Sequence, residues 1–224
     1  MTTVLITGAN RGIGFEFARQ YAADGANVIA TCRDPAKADK LVGLGVRVEQ
    51  LDVTDPASAA ALAGALKAVP IDILIANAGY YGPERQDVDD ADWDGFLETF
   101  RINSLGPLLL AQTLKHNLLS GQDKKFVVLT SKMGSISDST GGYLAYRASK
   151  AALNMIAHNI ALEWKKHGIK VAILHPGWVK TDMGGPSAPL TTAESVVEMM
   201  NRIAELWPGN SGHFLDYQGK EIGW

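Results

Sequence analysis

The sequence lacks three features that would place it in a specialised class of proteins. It has a single cysteine, Cys32, so no disulfide can form within the chain. Its longest apolar runs, around 105–114 and 126–129, are shorter than the ~20 residues that a membrane-spanning helix requires. The formal net charge is −3 and no dense run of Lys and Arg is present. This composition argues against a nucleic-acid partner and against an anionic membrane surface.

The remaining composition is that of one globular α/β domain spanning residues 1–224. The 224 residues are 46% hydrophobic and 20% charged. The first predicted strand starts by Thr3, which leaves no room for a secretory signal, so we expect a reducing, cytoplasmic location.

Strand-like runs alternate with helix-length periodic segments along the chain. Strands are predicted at 2–7, 28–30, 46–51, 71–76, 126–130, 171–174 and 213–216, and helices at 12–24, 35–43, 56–68, 91–117, 144–167 and 192–207. This alternation predicts a Rossmann-like, doubly wound parallel β-sheet with helices on both faces. Ligands of such sheets bind beyond the carboxyl ends of the strands.

A glycine-rich turn follows the first predicted strand directly. Its sequence is Gly8-Ala9-Asn10-Arg11-Gly12-Ile13-Gly14, and a helix begins within it. Backbone N–H groups of such a turn can cradle a phosphate, and glycine allows the close approach. The Gly-x-x-x-Gly-x-Gly spacing differs from the G-x-G-x-x-G dinucleotide pattern, so an ordinary loop is the alternative interpretation.

The most informative stretch is Tyr146-Arg147-Ala148-Ser149-Lys150, which places a phenol and an ammonium one helical turn apart. A free tyrosine titrates near ~10, and a nearby positive charge would lower that pKa. We therefore expect Tyr146 to act as an acid catalyst and Lys150 to lower its pKa. Alone, the pair is weak evidence because such spacing often arises by chance.

Six motifs in a fixed order resemble the short-chain dehydrogenase/reductase family over nearly the whole chain. They are Thr7-Gly8-x-x-x-Gly12-Ile13-Gly14, Asn77-Ala78-Gly79, Asn103, Ser131, Tyr146-x-x-x-Lys150 and Pro176-Gly177. The stretches 8–12, 175–183 and 212–220 narrow the resemblance to the carbonyl-reductase-like branch that includes sniffer and the C-factor proteins. The resemblance implies a Rossmann fold and a nicotinamide cofactor.

The end of the second strand favours NADP over NAD. Proteins that prefer NAD usually offer Asp or Glu here to the ribose 2′-hydroxyl, whereas this chain has Ala30-Thr31-Cys32-Arg33. Arg33 and Arg11 could pair with a 2′-phosphate. Alternatively, both arginines are solvated surface residues. Asp34, the next residue, could partly neutralise the positive charge of Arg33.

The resemblance implies the other cofactor contacts. The glycine turn contributes Thr7, Gly8, Asn10, Arg11, Gly12, Ile13 and Gly14; Asp52 and Val53 hold the adenine; Asn77, Ala78 and Gly79 line the adenosine side; Tyr146 and Lys150 contact the nicotinamide ribose; and Pro176, Gly177, Val179 and Thr181 seat the carboxamide. For Asn77, a structural role in bonding neighbouring backbone is compatible with this one. Trp178 and Met183 are expected near the substrate mouth, beside a short substrate loop at 183–191, although Trp178 could equally be a core residue.

The resemblance also implies the catalytic residues Asn103, Ser131, Tyr146 and Lys150. Ser131 would bond the substrate carbonyl oxygen beside the phenol, with strand-end capping as its alternative role. Asn103 would kink a helix and hold a water next to the lysine, and Pro107 makes a distortion there plausible.

Two residues compete with these assignments. Ser135 rivals Ser131, because the fifteen-residue interval from Ser131 to Tyr146 slightly exceeds the usual family interval. Tyr143 rivals Tyr146, but the residue four positions later is Arg147, which suits the lysine role less well.

One further pattern concerns metal binding. Asp90-x-Asp92-x-Asp94-Gly95 copies the opening of a calcium loop, but Arg101 occupies the twelfth position, so a helix start and no metal site are expected.

The helix at 144–167 has an apolar stripe too broad for one buried face, which predicts a homo-oligomer, dimer or tetramer. Deeper burial within one subunit is the alternative.

Together these observations predict an NADPH-dependent enzyme that reduces the carbonyl of an aldehyde, ketone or quinone, with a small molecule as its partner. Two alternatives stay open. One is an NAD-dependent alcohol dehydrogenase, and the other is a nucleotide-binding signalling or sensor protein of C-factor type with little turnover.

Overall fold

A computed structural model describes all residues, 1–224, of the chain. Seven strands form one sheet: β1 (Thr3–Ile6), β2 (Asn27–Cys32), β3 (Arg47–Gln50), β4 (Ile73–Ala76), β5 (Lys125–Leu129), β6 (Lys170–His175) and β7 (Phe214–Asp216). Every neighbouring pair of strands is parallel, and the spatial order is β3-β2-β1-β4-β5-β6-β7. The predicted doubly wound sheet is confirmed, and its strand order reverses between β1 and β4.

Seven α-helices cover the two faces of the sheet. They are α1 (Gly12–Ala23), α2 (Asp39–Val42), α3 (Pro56–Ala65), α4 (Trp93–Phe100), α5 (Gly106–Ser120), α6 (Leu144–Trp164) and α7 (Thr192–Ala204). No helix combines the length and the apolarity needed to cross a membrane.

Two predicted helices differ in detail from the observed ones. The segment predicted at 35–43 is a 3₁₀ turn, Pro35–Lys37, followed by the four-residue helix α2. The segment predicted at 91–117 is interrupted by a π-helical stretch, Arg101–Leu105, which separates α4 from α5. Asp92 caps α4 by accepting a hydrogen bond from the backbone N–H of Gly95 at 3.0 Å. The acidic run therefore starts a helix, as expected.

The central strands are apolar on both sides because each side packs against a separate core. In β1, Leu5 faces one core together with residues of α3, α5 and α6. Val4 and Ile6 face the other core, which residues of α1 and α7 complete. Burial on both faces explains why β1 and β5 read as unbroken apolar runs rather than as alternating patterns. The polar residues that follow these strands are left at the carboxyl edge of the sheet.

Candidate active site

A cleft of about 990 Å³ runs along the carboxyl edge of the sheet, beside the reversal of strand order. Its lining includes most of the predicted site residues: Gly8, Asn10, Arg11, Gly12, Ile13, Gly14, Arg33, Asp52, Val53, Asn77, Ala78, Gly79, Tyr146, Lys150 and Thr181. Six predicted residues do not line it: Thr7, Asn103, Ser131, Pro176, Gly177 and Val179. The cleft therefore brings the glycine turn and the Tyr146–Lys150 pair, which are far apart in sequence, into one site.

The glycine turn has a backbone that only glycine adopts easily. Gly8 and Gly12 have φ values of 62° and 55°, in the left-handed region. A Cβ atom on Gly8 would also lie 3.0 Å from the Cα atom of Ala78. Helix α1 starts at Gly12, and the Arg11 side chain at its N-cap makes no capping hydrogen bond. The turn thus presents uncapped helix N–H groups beside the cleft, an arrangement suited to phosphate.

Asn77 fastens this turn to the end of β4. Its Nδ2 donates to the carbonyl oxygens of Thr7 at 2.8 Å and Gly8 at 3.1 Å. The Thr7 hydroxyl oxygen in turn accepts from the backbone N–H of Asn77 at 3.0 Å and of Ala78 at 3.1 Å. The structural role weighed for Asn77 is therefore present. Thr7 does not line the cleft, and its hydroxyl supports the turn from below through these hydrogen bonds.

The arginines at the adenosine end of the cleft have different surroundings. Arg11 is already paired, because its guanidinium lies 2.7 Å from the carboxylate of Asp182 across the cleft. Arg33 is exposed and takes part in none of the ion pairs of the structure. The carboxylate of Asp34 pairs with the ammonium of Lys37 at 2.8 Å and not with the guanidinium of Arg33.

Sequence reasoning overlooked Lys37, which also lines this end of the cleft. Its position depends on the 3₁₀ turn after β2, where a continuous helix was expected. Nearby, hydrogen bonds from the hydroxyl and backbone N–H of Thr54 hold the pKa of Asp52 below its usual value, with a smaller contribution from the charge of Arg33. The adenosine end thus has Arg33 as its unpaired cation.

At the other end of the cleft, burial controls the acidity of Tyr146. The residue is 7% exposed, and burial raises the pKa of its phenol to about 12. The neighbouring Ser131 side chain acts in the opposite direction, and Tyr81 raises the pKa of Tyr146 further. The net shift of this pKa is upward, whereas the Tyr146–Lys150 spacing predicted a lowered value, because desolvation of the phenolate is the largest effect.

Lys150 is itself affected by burial. It is 5% exposed, and desolvation lowers the pKa of its ammonium to about 8. Its Nζ lies 5.8 Å from the centre of the Tyr146 ring and donates to the backbone oxygen of Leu129 at 2.9 Å. The ammonium is thus held at the end of β5, close to the ring but bonded to the main chain.

Ser131 has the strand-end capping role that the sequence left open. Its Oγ accepts from the backbone N–H of Met133 at 3.1 Å, which caps the 3₁₀ turn after β5. The same side chain is also near enough to the Tyr146 phenol to lower the pKa of that group. Its rival Ser135 is 2% exposed and donates instead to the backbone oxygen of Gly223 at 2.6 Å. The structure brings Ser131, rather than Ser135, to the phenol.

Asn103 lies at the centre of the π-helical stretch, so the expected distortion is present. It is fully buried, and its side chain bonds both backbone groups of Tyr80, at 2.8 Å each, and the hydroxyl of Ser149 at 2.9 Å. Gly79 separates it from Lys150: a Cβ atom there would lie 3.5 Å from Asn103 Oδ1 and 3.8 Å from Lys150 Nζ. Asn103 thus ties the chain after β4 to α6.

The segment after β6 is a folded turn over the cleft. Val179 is buried, its backbone pairs with that of Leu190, and it is not part of the cleft lining. Trp178 is 56% exposed, which decides against a core position, and its Nε1 donates to the backbone oxygen of Gly184 at 2.7 Å. Met183 lines the cleft. Met183 and Trp178 thus lie at the surface of this segment.

Tyr81 is a second residue of the cleft that the sequence motifs did not predict. It lines the cleft, and its ring centre lies 4.8 Å from that of Tyr146 and 5.2 Å from that of Tyr143. The Tyr-Tyr-Gly sequence after Asn77-Ala78-Gly79 carries no periodic signal that would place this ring. Tyr143, the rival of Tyr146, contacts Tyr81 and is about half exposed.

Comparison with known sequences is consistent with this geometry. The short chain dehydrogenase family model matches residues 2–190. The C-signal protein of Myxococcus xanthus is 44% identical over 156 residues, which cover 69% of this chain and 93% of that protein. The 1-hydroxy-2-glutathionyl-2-methyl-3-butene dehydrogenase of a Rhodococcus species is 36% identical over 232 residues, covering 100% of both.

Two solved structures share the fold closely. The NADPH-bound carbonyl reductase from chicken fatty liver is 36% identical, with a TM-score of 0.92 and coverage of 100% of this chain and 99% of that one. The carbonyl reductase Sniffer of Drosophila melanogaster is 28% identical, with a TM-score of 0.92 and full coverage of both chains.

Proposed function

The chain belongs to the short-chain dehydrogenase family, and we propose that it is an NADPH-dependent oxidoreductase that reduces the carbonyl of an aldehyde, ketone or quinone to an alcohol. One observation carries this proposal. A single cleft extends from the glycine turn to Tyr146 and Lys150, so a bound dinucleotide would reach from a phosphate cradle to a buried phenol. The carbonyl reductases among its structural neighbours support the same reaction.

The residues of the cleft fit a dinucleotide. Gly8 leaves room that a Cβ would fill, and α1 offers uncapped N–H groups for a pyrophosphate. Arg33 would pair with a 2′-phosphate, which favours NADP, and the chicken carbonyl reductase holds NADPH. When bound, NADPH supplies the hydride that reduces the carbonyl carbon.

Tyr146 would donate the proton. Because burial raises the pKa of Tyr146 to about 12, its Oη holds a proton at neutral pH and can give it to the carbonyl oxygen. The Ser131 hydroxyl would donate a second hydrogen bond to that oxygen. Lys150, charged at neutral pH, would stabilise the phenolate that remains and contact the nicotinamide ribose. A phenol that is protonated at rest favours reduction over alcohol oxidation.

The substrate loop is short. Only the residues 184–190 lie between Met183 and the N-cap region of α7, and Trp178 and Met183 expose apolar surface there. We propose that the substrate end stays open and accepts bulky, uncharged carbonyls.

A panel of aldehydes, ketones and quinones, followed by NADPH consumption, tests the proposed function. We expect turnover of at least one compound by the wild-type chain. Tyr146→Phe should lose about 10²-fold or more of kcat, the scale of general acid catalysis, while its Kd for NADPH stays within about twofold. Wild-type turnover by Tyr146→Phe would refute the assigned mechanism.

A second candidate function is supported by one relative. The C-signal protein shares 44% identity with this chain over 156 residues, which favours a nucleotide-binding signalling or sensor role without relevant turnover. The same panel separates the two functions. The sensor role would be favoured if the wild-type chain binds NADPH but consumes it no faster than Tyr146→Phe with every compound of the panel.

A further inference from the structure

We propose that Tyr81 is a positioning residue for Tyr146, and that the buried side chain of Gln86 holds Tyr81 in place against the first turn of α6. This inference rests on the proposed function of Tyr146 but concerns a different element, the segment between β4 and α4. The sequence motifs assign no role to residues 80–89 of that segment.

The ring of Tyr81 lies between two rings from the start of α6. Its centre is 4.8 Å from that of Tyr146, with an angle of 42° between the planes, and 5.2 Å from that of Tyr143, with an angle of 54°. Aromatic pairs at such distances attract one another beyond simple burial. Tyr81 therefore restricts the ring of Tyr146 from the side of the cleft.

Tyr143, on the far side, is itself fixed. It has a φ of 50°, in the left-handed region that a bulky residue rarely adopts. The Nε of Arg147 donates to the carbonyl oxygens of Gly141 at 3.1 Å and Gly142 at 3.0 Å, which pins the turn leading into α6. Burial and the neighbouring Tyr143 side chain raise the pKa of the Tyr81 phenol, as expected for two hydroxyl-bearing rings in contact.

Gln86 joins the Tyr81 segment to α6. It is 4% exposed, and its Nε2 donates to the backbone oxygens of Tyr81 at 3.2 Å and Pro83 at 2.9 Å. Its Oε1 accepts from the backbone N–H of Tyr146 at 3.1 Å, and its own backbone oxygen accepts from Leu144 at 3.0 Å. An amide is required here because one side chain must both donate and accept.

The glutamine therefore sets the distance between the two tyrosines. One end of its amide binds the main chain of Tyr81, and the other end binds the main chain of Tyr146. Replacing it with an apolar residue would leave buried backbone groups unpaired. Catalytic geometry is sensitive to displacements of about 1 Å, so a loosened Tyr81 should lower kcat rather than cofactor binding.

A pair of substitutions tests the proposal. Tyr81→Leu removes the ring, whereas Tyr81→Phe keeps it and removes only the hydroxyl. We expect Tyr81→Leu to lower kcat about tenfold or more, with a Kd for NADPH within about twofold of wild type, and Tyr81→Phe to restore kcat to within about twofold. Trp207→Leu, which removes an aromatic ring that is 61% exposed, serves as a control and should leave kcat unchanged.

A second measurement is independent of turnover. With 3-fluorotyrosine at all six tyrosines, the fluorine signal of Tyr146 is identified by its absence in Tyr146→Phe. We expect this signal to shift and broaden in Tyr81→Leu and in Gln86→Leu, and to stay sharp in Tyr81→Phe. If the wild-type chain reduces no carbonyl, this signal still decides the positioning role, while the proposed function fails separately.

Three results would overturn the proposal. They are a Tyr146 signal unchanged in Tyr81→Leu, equal losses of kcat in Tyr81→Leu and Tyr81→Phe, and a loss of NADPH affinity as large as the loss of kcat. If Gln86→Leu does not fold, as judged by circular dichroism, the Tyr81 pair alone decides the outcome.

Discussion

At the scale of single residues, the acidity of the site depends on burial more than on neighbouring charge. The Tyr146 phenol and the Lys150 ammonium are shifted in opposite directions by the same cause, because desolvation disfavours the charged form of each. The spacing of the pair could be read from the sequence, since it depends only on helix geometry. Its burial could not, because the covering residues, Tyr81 among them, come from a distant segment.

The shifted pKa values predict the pH dependence of reduction. In the proposed mechanism, reduction requires a protonated Tyr146 and a charged Lys150. The raised pKa of Tyr146, about 12, keeps the phenol protonated throughout the working range, so the limiting change is the loss of the Lys150 proton at a pKa of about 8. We expect kcat/KM to be level near pH 7 and to fall as the pH rises through about 8.

Lys150→Arg provides the matched control for this profile. Arginine stays charged over the whole range, so the fall near pH 8 should disappear even where the rate at pH 7 is reduced. A profile that falls at the same pH in Lys150→Arg would assign the titration to another group.

Arg33 gives a prediction about cofactor choice. Its guanidinium has no carboxylate partner, unlike that of Arg11, so it is the better candidate to bind a 2′-phosphate. Arg33→Ala should weaken NADPH binding about tenfold and leave NADH binding unchanged, as measured by fluorescence titration. Arg85→Ala, which removes an exposed arginine paired with Asp90, is the control. Equal affinities of the wild type for both cofactors would support the NAD-dependent alternative.

At the scale of elements, the turns after the strands determine the site. The glycine turn was predictable because a strand, a glycine cluster and a helix follow one another in the chain. The hydrogen bonds that fix this turn were not, since Asn77 and Thr7 are separated by 70 residues. The π-helical stretch at Asn103 was expected only as a distortion, because its form depends on contacts with Tyr80 and Ser149.

Asn77→Ala tests the connection between the β1 and β4 ends. The Thr7 and Gly8 carbonyl oxygens would lose their donor, so we expect the free energy of unfolding to fall by about 2 kcal/mol in urea denaturation. NADPH affinity should fall as well, because the glycine turn loses its support. Asn159→Ala is a matched control, since Asn159 is exposed and bonds only within α6. It should change stability by less than about 0.5 kcal/mol.

At the scale of the whole molecule, the alternation of strands and helices was enough to predict the sheet and its two cores. Every predicted strand is present, and burial on both faces gives β1, β4 and β5 the apolar runs that made them easy to predict. The ion pair between Arg11 and Asp182, 171 residues apart, could be found only from the fold.

Association between subunits is the remaining prediction at this scale. Met155 and Leu162 on α6 are 63% and 60% exposed, so the broad apolar stripe is not covered within one chain. We expect a homo-oligomer, dimer or tetramer, in sedimentation velocity experiments. The double substitution Met155→Glu with Leu162→Glu should shift it toward monomer, and a monomeric wild type would contradict the prediction.

The proposed role of Tyr146 is to donate the proton during hydride transfer to a carbonyl. The most direct test is to incubate the best substrate of the panel with NADPH deuterated at the transferred position and to compare wild type with Tyr146→Phe. We predict that the wild type forms an alcohol with one deuterium on the former carbonyl carbon for each NADPH consumed. Tyr146→Phe should bind NADPH but form this deuterated alcohol about 10²-fold more slowly. Equal formation of deuterated alcohol by both proteins would contradict the account.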